Sequence, residues 1–123
     1  MKYFADTYAI IEYLKNNPRF ISYFEKHQIL TTRLNLMELF YSSLKDAGEE
    51  LAERHYNSFL SRITEITDLQ FKAAAKMRLR YKQNNLSYID CLGYSIALDE
   101  KAKFLTGDKE FHEMKNVEWV SAT

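Results

Sequence analysis

The chain has 123 residues, 46% hydrophobic and 28% charged, and its 17 basic and 17 acidic side chains cancel to a formal net charge of zero. That balance belongs to a folded globular domain, here one domain over residues 1–123, and excludes both a disordered segment and a protein that holds nucleic acid by bulk positive charge. One cysteine, Cys91, excludes an internal disulfide framework and a zinc site of the Cys-x-x-Cys type, and fits a reducing compartment.

Residues 2–5 (KYFA) read as a strand ending at Asp6. A helix follows over 7–16, with Ile10, Ile11 and Leu14 on one face. Pro18 suits the first turn of a second helix that runs through Ile21 and Phe24 to His27. Residues 28–31 (QILT) predict a second strand. Thr32 can cap the next helix, whose stripe of Leu36, Leu39, Phe40 and Leu44 stops before Gly48. Residues 49–60 predict another helix, and 63–66 (ITEI) a third strand. Asp68 is the expected cap of a helix to about residue 83, with Leu69, Ala73, Met77 and Tyr81 at four-residue spacing, broken by Asn84 and Asn85. Ser87 caps a helix through Leu98, with Asp90 at its third position, an acidic variant of the capping box. Residues 103–106 (KFLT) predict a fourth strand, followed by Gly107 and Asp108. A short helix near Phe111 and a strand over 117–120 complete the pattern.

Strands alternating with helices imply a small three-layer α/β/α domain with a short-stranded, mostly parallel central sheet. No apolar segment approaches the roughly 20 residues of a membrane span. Asp6 and Glu12 interrupt any signal-like apolar run at the start, so a cytoplasmic protein without membrane partners is expected.

Sites in open α/β sheets form beyond the carboxyl ends of the strands. Asp6 ends the first strand, Asp108 follows the fourth, and Asp90 opens a helix. Glu38 lies between Met37 and Leu39 in LNLMELFYSSL, where an acid is costly unless it faces a cleft, a partner or a metal. Singly, each has a plainer role: a strand-end turn for Asp6 and Asp108, a helix cap for Asp90, a solvated helix surface for Glu38. The residues alone leave both readings open.

The segments ADTYAIIEYL (5–14), TTRLNLMELFYSSL (31–44), SYIDCLGYSIAL (87–98) and LTGDKEF (105–111) occur in that order. Together they resemble the PIN-domain family, and most closely its toxin-type members, the VapC ribonucleases. Asp6 matches the opening acid of the family's first motif, Glu38 its helix glutamate, Asp90 its third acid and Asp108 the acid after the Leu-Thr strand end. The resemblance implies metal-dependent cleavage of RNA that leaves a 5′-phosphate and a 3′-hydroxyl. It also implies a homodimer and an antitoxin protein that blocks the acidic groove. Two departures are visible: bulky Tyr94 follows Gly93 where small residues are usual, and the first strand is more aromatic than the usual aliphatic run.

Other chemistries lack their residues. Gly48, Gly93 and Gly107 are the only glycines, so no phosphate-cradling loop exists. There is no nucleophile elbow, and Cys91 has no neighbouring base. His27, His55 and His112 are scattered. Carboxylates alone suit hard ions such as Mg²⁺ or Mn²⁺. Asp6 and Asp90 are the expected direct ligands, with Glu38 and Asp108 binding directly or through water. Thr106 would supply a supporting hydroxyl, or would simply be a β-branched strand residue.

An acidic site needs cations nearby to hold a nucleic-acid backbone. Lys72, Lys76 and Arg80 share one face of the helix expected over 68–83, and a phosphate-contacting stripe competes there with an ordinary solvated face. Arg33 and Lys109 are the expected local phosphate contacts. Three further readings stand beside the toxin: an RNA-processing PIN nuclease without an antitoxin, a PIN-like scaffold that binds RNA or protein without cleaving, and a receiver-like phosphoacceptor domain. The last expects an aspartate after the third strand, where ITEIT offers only Glu65.

Overall fold

Four short strands form the centre of the structure, a computed structural model that describes residues 1–123. They are β1 (Lys2–Ala5), β2 (Gln28–Leu30), β3 (Lys103–Thr106) and β4 (Val117–Trp119), hydrogen-bonded in the order β2-β1-β3-β4. Every pairing is parallel. Parallel strands need crossover connections, and helices supply them: α1 (Thr7–Leu14), α2 (Pro18–Lys26), α3 (Arg33–Ala47), α4 (Glu49–Ser58), α5 (Asp68–Arg80) and α6 (Tyr88–Asp99).

The two central strands are buried on both faces, and their alternation sorts the side chains into two cores. Tyr3, Ala5 and Leu105 point into one, where Ile10, Phe20, Phe24, Leu36 and Leu39 from the first three helices cover them. Phe4 and Phe104 point into the other, against Leu92 and Ile96 of α6 and Phe111. The aromatic first strand is therefore a core feature. Phe4 and Phe104 stack with centroids 5.9 Å apart, an arrangement that aliphatic side chains would not make. Tyr94 is a core residue as well. Its ring packs on Phe104 and Phe111, and its hydroxyl donates to the Lys115 carbonyl at 2.5 Å.

Three expectations are corrected. Residues 63–66 form no strand; Ile63 makes a single parallel bridge to Thr31. The cause is local: β2 ends at Leu30, and Thr32 caps α3 by accepting from the Asn35 N–H, so no strand remains beyond Thr31 to pair with. The cap of α5 is Thr67, not Asp68, in a capping box with Gln70, and the helix stops at Arg80, short of 83. The stripe of α5 is also rotated. Gln70, Ala74 and Met77 are buried, whereas Leu69 is exposed, because the Gln70 amide is drawn inward to donate to Asp99 of α6.

Gly93 fixes how closely α6 approaches the sheet. A Cβ there would lie 2.7 Å from Cε1 of Phe4 and 3.0 Å from Cε1 of Phe104, both rings fully buried. Gly93→Ala would ordinarily stabilise a helix by about 1 kcal/mol. Here overpacking of a stacked ring pair should outweigh it, for a net loss of about 1–2 kcal/mol in urea unfolding. A raised midpoint would mean that the rings have room to move.

Candidate active site

Asp6 is the first residue after β1, and it is buried because β1 is flanked on both sides. Its side chain caps α1, accepting the Ala9 N–H at 2.9 Å on Oδ1. On Oδ2 it accepts the Thr106 hydroxyl at 2.5 Å. Thr106 ends the neighbouring strand and also accepts the Asp108 N–H at 3.0 Å. One hydroxyl thus links the acid beyond β1 to the acid beyond β3. Asp108 in turn accepts the Glu110 N–H at 3.0 Å, the first bond of a short helical turn.

Glu38 reaches the same edge from α3. Its carboxylate accepts the Thr7 hydroxyl at 2.5 Å. Thr7 accepts from the Asn35 amide at 3.1 Å, and Asn35 accepts from the Thr32 hydroxyl at 2.7 Å. This chain of hydrogen bonds runs from the start of α3 to Glu38 and fixes its rotamer. Asp90, the N3 residue of α6, accepts the Ser87 N–H at 3.0 Å in the reciprocal capping box.

The four carboxylates share one electrostatic environment. Burial pushes the Asp6 carboxyl up to about 7, against the hydrogen bonds from Thr106 and Ala9, and the charges of Asp90 and Asp108 push in the same direction. Burial also raises Glu38 and Asp90. Glu38 is further raised by Asp90, and Asp90 by Asp108. No basic side chain offsets any of these three, and the one ion pair of the chain joins Lys15 to Glu12 elsewhere.

As the side chains stand, no three acidic, histidine or cysteine side chains meet closely enough to enclose one ion. Each acid of the site has committed oxygens locally, while Glu38 Oε2, Asp90 Oδ1 and Asp108 Oδ2 accept no protein hydrogen bond. The donor set is all oxygen and strongly anionic. It fits Mg²⁺, which keeps several waters and takes only one or two carboxylates directly.

The cationic candidates divide. Lys109 follows Asp108 directly and is exposed, and Arg33 is exposed at the first turn of α3. Lys72, Lys76 and Arg80 are exposed too, along α5, whose last turn packs on the first turn of α6 through Arg78 and Tyr88. The bond from Gln70 to Asp99 ties the start of α5, where Lys72 lies, to the far end of α6 from Asp90. Lys76 and Arg80 border a hollow with Tyr94, Ser95 and Leu98 along the flank of α6. Sequence reasoning missed Thr7, Asn35 and Trp119. Thr7 and Asn35 had a signal, being small polar residues in otherwise apolar or acidic surroundings. Trp119, whose indole N–H donates to the Asp108 carbonyl at 3.1 Å, had none, since nothing local couples residue 119 to residue 108.

The family model described as "PIN domain" matches residues 3–117. No curated protein matches the chain in sequence. Solved structures share its fold. VapC20 of Mycobacterium tuberculosis, described as a sarcin-ricin loop cleaving toxin, superposes with a TM-score of 0.80 at 16% identity, covering 96% of this chain and 98% of that one. A chain of VapBC2 from Rickettsia felis, bound to a DNA fragment from its promoter, gives 0.75 at 23% identity, covering 98% and 100%. VapBC-1 from nontypeable Haemophilus influenzae gives 0.75 at 20%, covering 99% and 98%.

The electrostatics predict a pH signature. An acid raised from 3.8 to about 7 makes the metal-free folded state bind more protons than the unfolded chain between those values. Stability should therefore fall as pH rises across that window and level off above it. In EDTA, the urea midpoint should be lower at about pH 8 than at about pH 5. Asp6→Asn, which can still accept from Ala9, should exceed wild type at the higher pH. A wild-type midpoint that rises from pH 5 to 8 would show that the carboxylate cluster does not govern stability in this range.

Proposed function

This chain belongs to the PIN-domain family, and we propose that it is a Mg²⁺- or Mn²⁺-dependent endoribonuclease that hydrolyses RNA phosphodiester bonds. The observation that carries this reading is a set of four carboxylates at one sheet edge, buried or half-buried, of which Asp6, Glu38 and Asp90 are raised by burial and by neighbouring acids with no basic side chain to offset them. Such a set repels its own charges and is completed by a divalent cation. The proposed ligands are Asp6, Glu38, Asp90 and Asp108, with Thr106 supporting Asp6 through its hydroxyl.

A bound ion of this kind supplies charge neutralisation at the phosphate and lowers the pKa of water. The chain's own groups do the rest. Ala9 and Thr106 hold Asp6 in one orientation, and Thr7 does the same for Glu38. Hydrolysis adds water across a P–O3′ bond: the water loses a proton and the leaving 3′-oxygen gains one. Glu38 Oε2, unbonded on a carboxylate that burial has made more basic, is suited to take the proton from water. Lys109 and Arg33 are the proposed local backbone contacts, with Lys72, Lys76 and Arg80 proposed as a further phosphate-contacting stripe.

The biological role we infer is that of the toxin in a toxin–antitoxin pair, working in the cytoplasm as a homodimer with a protein antitoxin as partner. Support comes from the similar folds described as VapBC complexes and as the toxin VapC20. No helix of the chain is long and apolar enough to cross a membrane.

Purified protein should cut a mixed RNA with Mg²⁺ or Mn²⁺, stop in EDTA and recover when metal is restored. Asp90→Asn should lower the rate by about a hundredfold or more, because Asn at N3 can still accept the Ser87 N–H but supplies no charge. Glu49→Gln, exposed at the start of α4, should leave the rate unchanged. At ten times its Kd, Mg²⁺ should stabilise wild type by roughly 1.4 kcal/mol and the Asp90 variant by little. Cleavage that persists in EDTA would refute the metal-dependent reading.

A further inference from the structure

Three exposed or half-exposed aromatic side chains flank Asp108, and none belongs to either buried core. Trp119, the only tryptophan of the chain, sits opposite Thr106 in the β3–β4 register and so ends at the acidic edge of the sheet. Its N–H is bonded to the Asp108 carbonyl, which pins the indole to the loop carrying an acid. The His112 ring lies on it, with centroids 4.1 Å apart and planes at 35°, and is itself exposed. On the other side, Tyr8 rests on the backbone of Gly107 so closely that a Cβ there would be 2.2 Å from its Cε1. The tyrosine is 37% exposed, and its phenol is raised by partial burial first, then by the charges of Glu12, Asp6 and Asp108.

Aromatic rings left out of a core and fixed beside a phosphate-cleaving site have an evident use. Unpaired bases present free faces that stack on such rings with little regard to sequence, whereas duplex bases already stack on one another. We propose that His112 and Trp119 on one side of Asp108, and Tyr8 on the other, form a stacking platform for bases of single-stranded RNA that leads the backbone across the acids. The platform rests on the nuclease reading and assigns these three rings as the positions that take unpaired bases.

Because Trp119 is alone, its fluorescence reports the platform directly. The Asp90→Asn protein, in Mg²⁺, is titrated with a short single-stranded RNA and with the duplex of the same sequence. Wild-type cleavage and binding to labelled RNA are followed in parallel. Saturable quenching by the single strand and little by the duplex is the expected result. Adding His112→Ala, or Tyr8→Leu, should weaken single-strand binding roughly tenfold, while Tyr8→Phe should preserve it. His112 is exposed, so its variant should melt as the parent does. Binding without any change in Trp119 emission, or equal quenching by duplex, would overturn the platform and leave the nuclease reading intact. Neither binding nor wild-type cleavage of any RNA would overturn both.

Discussion

The carboxylate of Asp6 is taken almost wholly out of water with no basic side chain to offset its charge. A buried ionised group of this kind is tolerated only when fixed donors replace its hydration. Here they come from two elements, the first turn of α1 and the last residue of β3. The same bonds close β1 onto α1 and lock the ends of the two central strands together. Structure and site depend on one another at this residue.

The remaining acids follow from the parallel sheet. Parallel pairing puts the carboxyl ends of all four strands at one edge, so Asp6 and Asp108 must share it. Crossover helices enter there as well. The first turn of α6 contributes Asp90, and the second turn of α3 contributes Glu38, oriented through Thr7, Asn35 and Thr32. Helix capping uses the proposed site's own side chains: Asp6 and Asp90 both bond backbone N–H groups at the carboxyl edge of the sheet. The fold lowers the cost of each carboxylate locally but leaves their mutual repulsion in place.

Much of the architecture was legible because its signals are local. The caps Thr32 and Ser87, Pro18 at a helix start and the strand ends before Asp6 and Asp108 each depend on neighbours a few residues away. The expected strand over 63–66 failed for the opposite reason, since a strand needs a partner and β2 ends too soon to be one. The stripe on α5 was misread because apolar spacing could not show that the Gln70 amide is drawn inward to Asp99 of α6. The same limit hid Trp119.

The central claim is that one cation replaces the proton that buried, mutually repelling carboxylates would otherwise hold. Calorimetric titration with Mg²⁺ at about pH 6.5, in buffers of different ionisation enthalpy, counts the protons released as metal binds. With Asp6 near 7 in the metal-free state, binding should release up to one proton at that pH. The release should fade above about pH 8, and Asp6→Asn should release markedly less. Metal binding with no proton release at either pH, or no detectable binding of Mg²⁺ or Mn²⁺, would contradict the account.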